Sequence, residues 1–256
     1  MIFFVTAVTW LTIGFLLDAF DVFEDDDDAK ADDSAAKEDP ITAADILDAD
    51  LHGDIINGTS RDDLLLGDSD SDLMSGKGGD DHIYAAEGDD SVIGGNGDDF
   101  LRGGPGNDYL QGDLGNDIMW GGSGDDALAG VVFKSTDAGL IDVDGADQMI
   151  GGTGDDVLLM GNSDVCSGND GADIFAGGTW IQPGQPATVQ DFDDAEDAVV
   201  FAYDPNQTPN AVFTLEDGTE TGEKVLAMNG QPMVKIANAA GMTLADVNFL
   251  EMSLAA

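Results

Sequence analysis

From Asp54 to Leu128 the chain repeats one arrangement of polar and apolar positions. An aspartate recurs every nine residues, at Asp54, Asp63, Asp72, Asp81, Asp90, Asp99, Asp108, Asp117 and Asp126. Two residues after each stands an apolar side chain: Ile56, Leu65, Met74, Ile83, Val92, Leu101, Leu110, Met119 and Leu128. Alternation over so short a run predicts a three-residue strand with one core-facing side chain. The six residues before each strand are rich in glycine, which accepts positive φ and lets backbones approach closely, so they predict a tight turn. Turn and strand in alternation predict a flattened solenoid in which eighteen residues complete one coil.

The stacking sets an electrostatic problem. Asp63, Asp81, Asp99 and Asp117 fall in one column, and Asp54, Asp72, Asp90, Asp108 and Asp126 in the other. Column neighbours are one strand spacing apart, ~4.8 Å, where like charges repel strongly. The chain holds 8 Lys+Arg against 53 Asp+Glu, a formal net charge of −45, so it cannot neutralise these columns itself. Carboxylates with turn carbonyls form an all-oxygen ligand set. That set favours a hard cation, and calcium's flexible coordination suits it better than magnesium's strict octahedron.

The register slips at "VVFKSTDAGLIDV" (131–143), resumes around Asp147 and Asp156, and last appears in "GNDGADIFA" with Asp173. "GGNGDDFLR", "GGPGNDYLQ", "GGSGDDALA" and "GGTGDDVLL" match G-G-x-G-x-D-x-U-x at every fixed position. These units resemble the nonapeptide of the RTX (haemolysin-type) calcium-binding parallel β-roll. The resemblance covers about half the chain. It implies an all-β right-handed parallel β-roll of about seven coils, binding several Ca2+ ions. It further implies aspartate ligands at Asp63, Asp72, Asp81, Asp90, Asp99, Asp108, Asp117, Asp126, Asp147, Asp156 and Asp173. Implied carbonyl donors lie near Gly79, Gly88, Gly95, Gly97, Gly104, Gly106, Gly115, Gly122 and Gly124. Arg61 and Asp70 stand where the fourth glycine belongs, so weak sites are expected there, and a site bridging 131–143 is in doubt.

Around the expected roll (52–186) lie three other segments. Residues 1–23 are apolar and read first as a membrane anchor through residues 2–20, with a cleaved signal or a buried helix as alternatives. Residues 24–51 are acidic and Ala-rich and are expected to be a disordered linker. Residues 187–256 lose the repeat and show short β-prone runs, expected to form a β cap over the last coil. In the resembling family this region also carries the export signal.

The acidic balance excludes nucleic acid and anionic membrane surfaces as partners. The single Cys166 allows no internal disulfide and reads as a small, partly buried filler. Weak multi-site calcium modules suit extracellular calcium, ~10⁻³ M. His52 and His82 form no HExxH, "GGSGD" around Ser123 lacks the last glycine of a nucleophile elbow, and "DSDSD" (68–72) fails as an EF-hand at Leu73 and Gly79. The reading is a non-catalytic, extracellular or surface-anchored bacterial module that folds on binding calcium. Calcium-dependent adhesion to a surface polymer, or an accessory role in a secreted hydrolase or epimerase, are the alternatives. One outward face, with Tyr84, Phe100 and Trp120, is expected to meet the C-terminal segment; a second copy, an external ligand or plain exposure are the other outcomes.

Overall fold

The computed structural model describes residues 46–48, 55–136 and 139–252. The strands fall into two long sheets that the chain visits alternately. The first sheet takes β1 (Ile46–Asp48), β3 (Leu64–Leu66), β5 (His82–Tyr84), β7 (Phe100–Pro105) and β9 (Ile118–Ser123). It continues through β13 (Gln148–Thr153), β15 (Val165–Asp170) and β17 (Ala187–Val189). The second takes β2 (Ile55–Asn57), β4 (Leu73–Gly78), β6 (Ser91–Asn96), β8 (Tyr109–Leu114) and β10 (Ala127–Ala129). It continues through β14 (Val157–Leu159), β16 (Ile174–Gly178), β18 (Ala198–Tyr203) and β22 (Val247–Glu251). Every neighbour in these series pairs in parallel, as Leu101 does with Met119 and Val92 with Leu110. This is a parallel β-roll with the eighteen-residue coil that the spacing predicts.

The core is the set of central strand residues. Leu65, Met74, Ile83, Val92, Leu101, Leu110, Met119 and Leu128 are completely buried, and Ile56 nearly so. Their flanking neighbours are at least partly exposed along most strands, the out-in-out pattern of a sheet with one covered face. Cys166 pairs with Met149 in the same core row and is fully buried rather than partly so. Burial pushes its thiol well above the ordinary range, which leaves it inert.

Three parts differ from the expectation. Ile46–Asp48, inside the stretch expected to be a linker, is a strand in register with Leu64–Leu66. The boundary expected after residue 186 is no break in the sheets, because β17 pairs with β15 and β18 with β16. The C-terminal strands β19 (Phe213–Asp217), β20 (Lys224–Met228) and β21 (Gln231–Ile236) join as an antiparallel set beside β17. They lengthen the first sheet at its end and do not reach the outward face around Phe100, which the sequence reading expected them to cover. There Phe100 lies 5.9 Å from both His82 and Trp120, and Trp120 is 42 % exposed.

The slip at 131–143 is an antiparallel hairpin, β11 (Phe133–Thr136) with β12 (Gly139–Asp142). The strands β9 and β13 pair on either side of it in unbroken register. Phe133 packs edge-on against the buried Trp180, with ring centres 5.1 Å apart. At the base, Asp142 accepts from the N–H groups of Val132, Asp144 and Asn162. Residues 1–45, the expected anchor and most of the linker, lie outside the described residues. Among the described residues no helix is long and apolar enough to cross a membrane.

Candidate metal centre

Each turn is built so that an aspartate carboxylate folds back over its own first glycine. A Cβ added at Gly94 would collide with Oδ2 of Asp99 and come within 2.7 Å of the carbonyl of Gly112. A side chain there crowds the carboxylate, which favours glycine. Ala85 occupies the corresponding place in its copy, fully buried.

The aspartates are joined coil to coil. The N–H of Asp63 donates to Oδ1 of Asp81, that of Asp81 to Asp99 and that of Asp99 to Asp117, each at 2.7 Å. The column runs on through Asp147 to Asp164. On the opposite rim the same bond links Asp72, Asp90, Asp108, Asp126, Asp156 and Asp173, ending at Asp197. The eleven implied aspartates thus lie in two columns, and all eleven are buried.

The residue before each column aspartate makes a second ladder running the other way. The N–H of Asp80 donates to Oδ1 of Asp62, that of Asp98 to Asp80 and that of Asn116 to Asp98. Asn107, Asp125 and Asp155 continue the device on the other rim. The Asp-Asp and Asn-Asp pairs of the repeat are therefore two opposed ladders, one buried and one at the surface.

In nine of these aspartates one oxygen is thereby satisfied and the other is not. Oδ2 of Asp81, Asp90, Asp99, Asp108, Asp117, Asp126, Asp147, Asp156 and Asp173 is buried with no hydrogen-bond donor, as is Oδ1 of Asp63. Native interiors rarely leave buried polar atoms unpaired, and a row of them in equivalent positions calls for a ligand. Burial first, and neighbouring carboxylates after it, push these acids up: Asp99 and Asp156 to about 8, Asp81, Asp117 and Asp126 to about 7. Backbone N–H donation works against this rise without cancelling it.

The implied carbonyl donors line the same turns. The carbonyls of Gly79, Gly88, Gly97 and Gly106 face the α-carbons of Gly97, Gly106, Gly115 and Gly124 one coil on. The carbonyls of Gly104, Gly115, Gly122 and Gly124 face Gly122, Gly145, Gly152 and Gly154 in the same way, and Gly95 lies over the carbonyl of Lys77. At Gly115 the carbonyl of Gly97 and Oδ1 of Asp117 converge on one point. The two early copies expected to be weak keep this backbone: the carbonyls of Arg61 and Asp70 lie beneath Gly79 and Gly88. A carbonyl donor needs no glycine, so the departure at these positions changes the turn's side chain and not its oxygen.

The donor set fits calcium: buried carboxylates without donors, turn carbonyls, and no imidazole or thiolate in either column. Three members of the acidic array were missed in the sequence, namely Asp144, Asp164 and Asp197. Asp164 and Asp197 each have a buried apolar residue two places on, Cys166 and Val199, which is the strand half of the repeat without its glycines. His82 is exposed and stacks on Phe100, away from both columns.

A search of curated proteins returns no match to this chain. Scanned against protein families, it matches the RTX calcium-binding nonapeptide repeat in four copies, at residues 48–83, 66–101, 93–128 and 143–159. These matched segments are RTX calcium-binding nonapeptide repeats, and their described residues wind into a parallel β-roll with two buried aspartate columns.

Proposed function

We propose that the roll is a non-catalytic module that orders when calcium enters between its stacked turns, and that it works outside the cell or at its surface. The carrying observation is the row of buried carboxylate oxygens without donors on both rims. In this reading each ion is held by column aspartates of successive coils and by the carbonyls of the glycine turns between them. The ion replaces repulsion between neighbours with attraction to both, so binding free energy is folding free energy. Sites of this kind, weak singly and many together, suit extracellular calcium of ~10⁻³ M.

The partly exposed aromatic row supports a second reading, calcium-dependent adhesion. Tyr84 and Trp120 flank Phe100 at 5.7 and 5.9 Å on an outward sheet face. Such a row offers flat apolar surface to a polymer, and only the calcium-ordered roll would align it.

Far-UV circular dichroism of the full chain, titrated from chelator to about 10 mM calcium, tests the first reading. A coil-to-β transition that magnesium fails to reproduce is expected. A spectrum already β-rich in chelator at neutral pH would overturn it.

A further inference from the structure

One intercoil position brings three carboxylates together. Column neighbours Asp99 and Asp117 are 18 residues apart, whereas Asp117 and Asp147 are 30 apart, because the hairpin is inserted between them. In the regular coils the N–H of the turn's fourth residue donates to a backbone carbonyl one coil on, as Gly97 does to Leu114 and Gly106 to Ser123. At Gly115 that carbonyl is replaced by a side chain: Gly115 N–H donates to Oδ1 of Asp144 at 2.9 Å. Asp144 thereby restores the ladder that the insertion interrupts.

Holding one oxygen there leaves the other inside. Oδ2 of Asp144 is buried without a donor, and so are Oδ2 of Asp117 and of Asp147, two side chains each only 1 % exposed. Asp117, Asp144 and Asp147 each bring a carboxylate oxygen within 4.8 Å of the other two. Three acidic groups so close, with unpartnered oxygens that burial shuts off from water, are a cation's ligand set more than a surface cluster.

We propose that the insertion turns the position between Asp117 and Asp147 into a three-carboxylate calcium site, tighter than the two-carboxylate positions elsewhere in the roll and first to fill. This rests on the calcium reading of the columns. Affinity of oxygen-ligand sites rises with the count of charged ligands and with their rigidity. Asp144 adds the charge, and its bond to Gly115 supplies the rigidity. An ion there would pin the hairpin's return to the coil before it, so that the interrupted part of the roll orders first.

Calorimetric titration of calcium into the full-length protein tests this with Asp144→Asn, which keeps the Oδ1 acceptor for Gly115, and with Asp155→Asn, on the surface ladder of the other rim, as control. The wild type is expected to show a minor tight class of sites ahead of a larger weak class. Asp144→Asn should weaken the tight class by about tenfold or more, in line with the loss of one charged ligand, and leave the weak class in place; Asp155→Asn should leave the tight class as in the wild type. A wild-type isotherm with one class of sites overturns the proposal whatever the variant does. An Asp144→Asn isotherm superimposable on a two-class wild type overturns it as well. A wild type that takes up no calcium overturns the calcium reading together with it.

Discussion

Asp99 donates its backbone N–H to Oδ1 of Asp117 at 2.7 Å, while Oδ2 of that same Asp117 is buried and meets no donor. One carboxylate thus does two things: it ties coil to coil through the backbone, and it holds an oxygen toward the space between turns. The first needs only an acceptor; the second needs a charge. The two can be separated by a substitution that keeps the acceptor.

Asp99→Asn is that substitution in the middle of the roll. The amide oxygen can still accept from Asp81 N–H, but the charge is lost. In calcium the variant should be less stable by about 1–3 kcal/mol, the cost of weakening a buried charged partner. In chelator the sign should reverse, because a repelling charge next to Asp81 and Asp117 has gone. Thermal melts of both proteins in calcium, and the pH at which each unfolds in chelator, check it. Unchanged stability in both buffers would mean that the carboxylate acts only as a structural acceptor, which the amide oxygen replaces.

The dependence on pH follows from the same columns. Asp99 and Asp156 titrate at about 8, and Asp81, Asp117 and Asp126 at about 7 in the folded roll, against ~3.9 unfolded. The folded state therefore binds more protons than the unfolded state between those values, and stability falls as pH rises through that window. In chelator the roll should be most ordered near pH 4 and should unfold progressively up to about pH 8. A bound cation reverses the sign, since its charge draws the folded values below the unfolded one, and order should then persist at pH 8 and weaken in acid. Ellipticity against pH with and without calcium should give curves of opposite slope; parallel curves would contradict the account.

Much of this architecture was legible because one nine-residue register fixes both the core and the columns. Leu101 and Asp99 are read together, and both fall where the period puts them, buried on the inner face and at the rim. Two kinds of residue were hidden. Asp164 and Asp197 continue the columns after offsets of 17 and 24 residues, so counting by nine steps over them. Asp144 is invisible in any register, since its role exists only because the hairpin takes away a carbonyl that Gly115 would otherwise use. The outward face failed for a different reason. Its aromatic content suggested a covering partner, but whether β19–β21 fold back over a face or add to an edge is a matter of tertiary pairing that no short pattern encodes.

The core should respond as a stack of neighbours. Leu101 is fully buried between Ile83 and Met119 in its row. Leu101→Ala should cost about 2–5 kcal/mol, the transfer loss plus the cavity. In a solenoid each coil contacts only its neighbours, so the damage should stay local. Hydrogen exchange in saturating calcium should show lost protection centred on Phe100–Pro105 and its paired strands, with β18 and β22 unchanged; uniform loss along the roll would show global rather than neighbour-limited cooperativity.

The last prediction concerns the turn's second position. Gly95, Gly104 and Gly122 hold positive φ there, but in four copies the place is taken by Lys77, Ala86, Asp113 and Asn169, at φ 76°, 89°, 68° and 72°. Side chains with a Cβ enter this region at a cost of about 1–2 kcal/mol. Lys77 and Asp113 have local compensation, since Lys77 donates to the carbonyl of Gly58 and Asp113 accepts from Gln111. Ala86 has a methyl group that can do neither. Ala86→Gly should therefore stabilise the calcium-loaded roll by about 0.5–1 kcal/mol, the relief of strain less the entropy that glycine adds to the unfolded chain. The reciprocal change, Gly104→Ala, should be strongly destabilising, because its Cβ would run into the carbonyl of Ala86 one coil below. Denaturant titrations of both variants in saturating calcium decide the matter. If Ala86→Gly proved neutral or harmful, positive φ at this position would carry no strain, and the glycines would be there for the space their neighbours' carbonyls need and for nothing else.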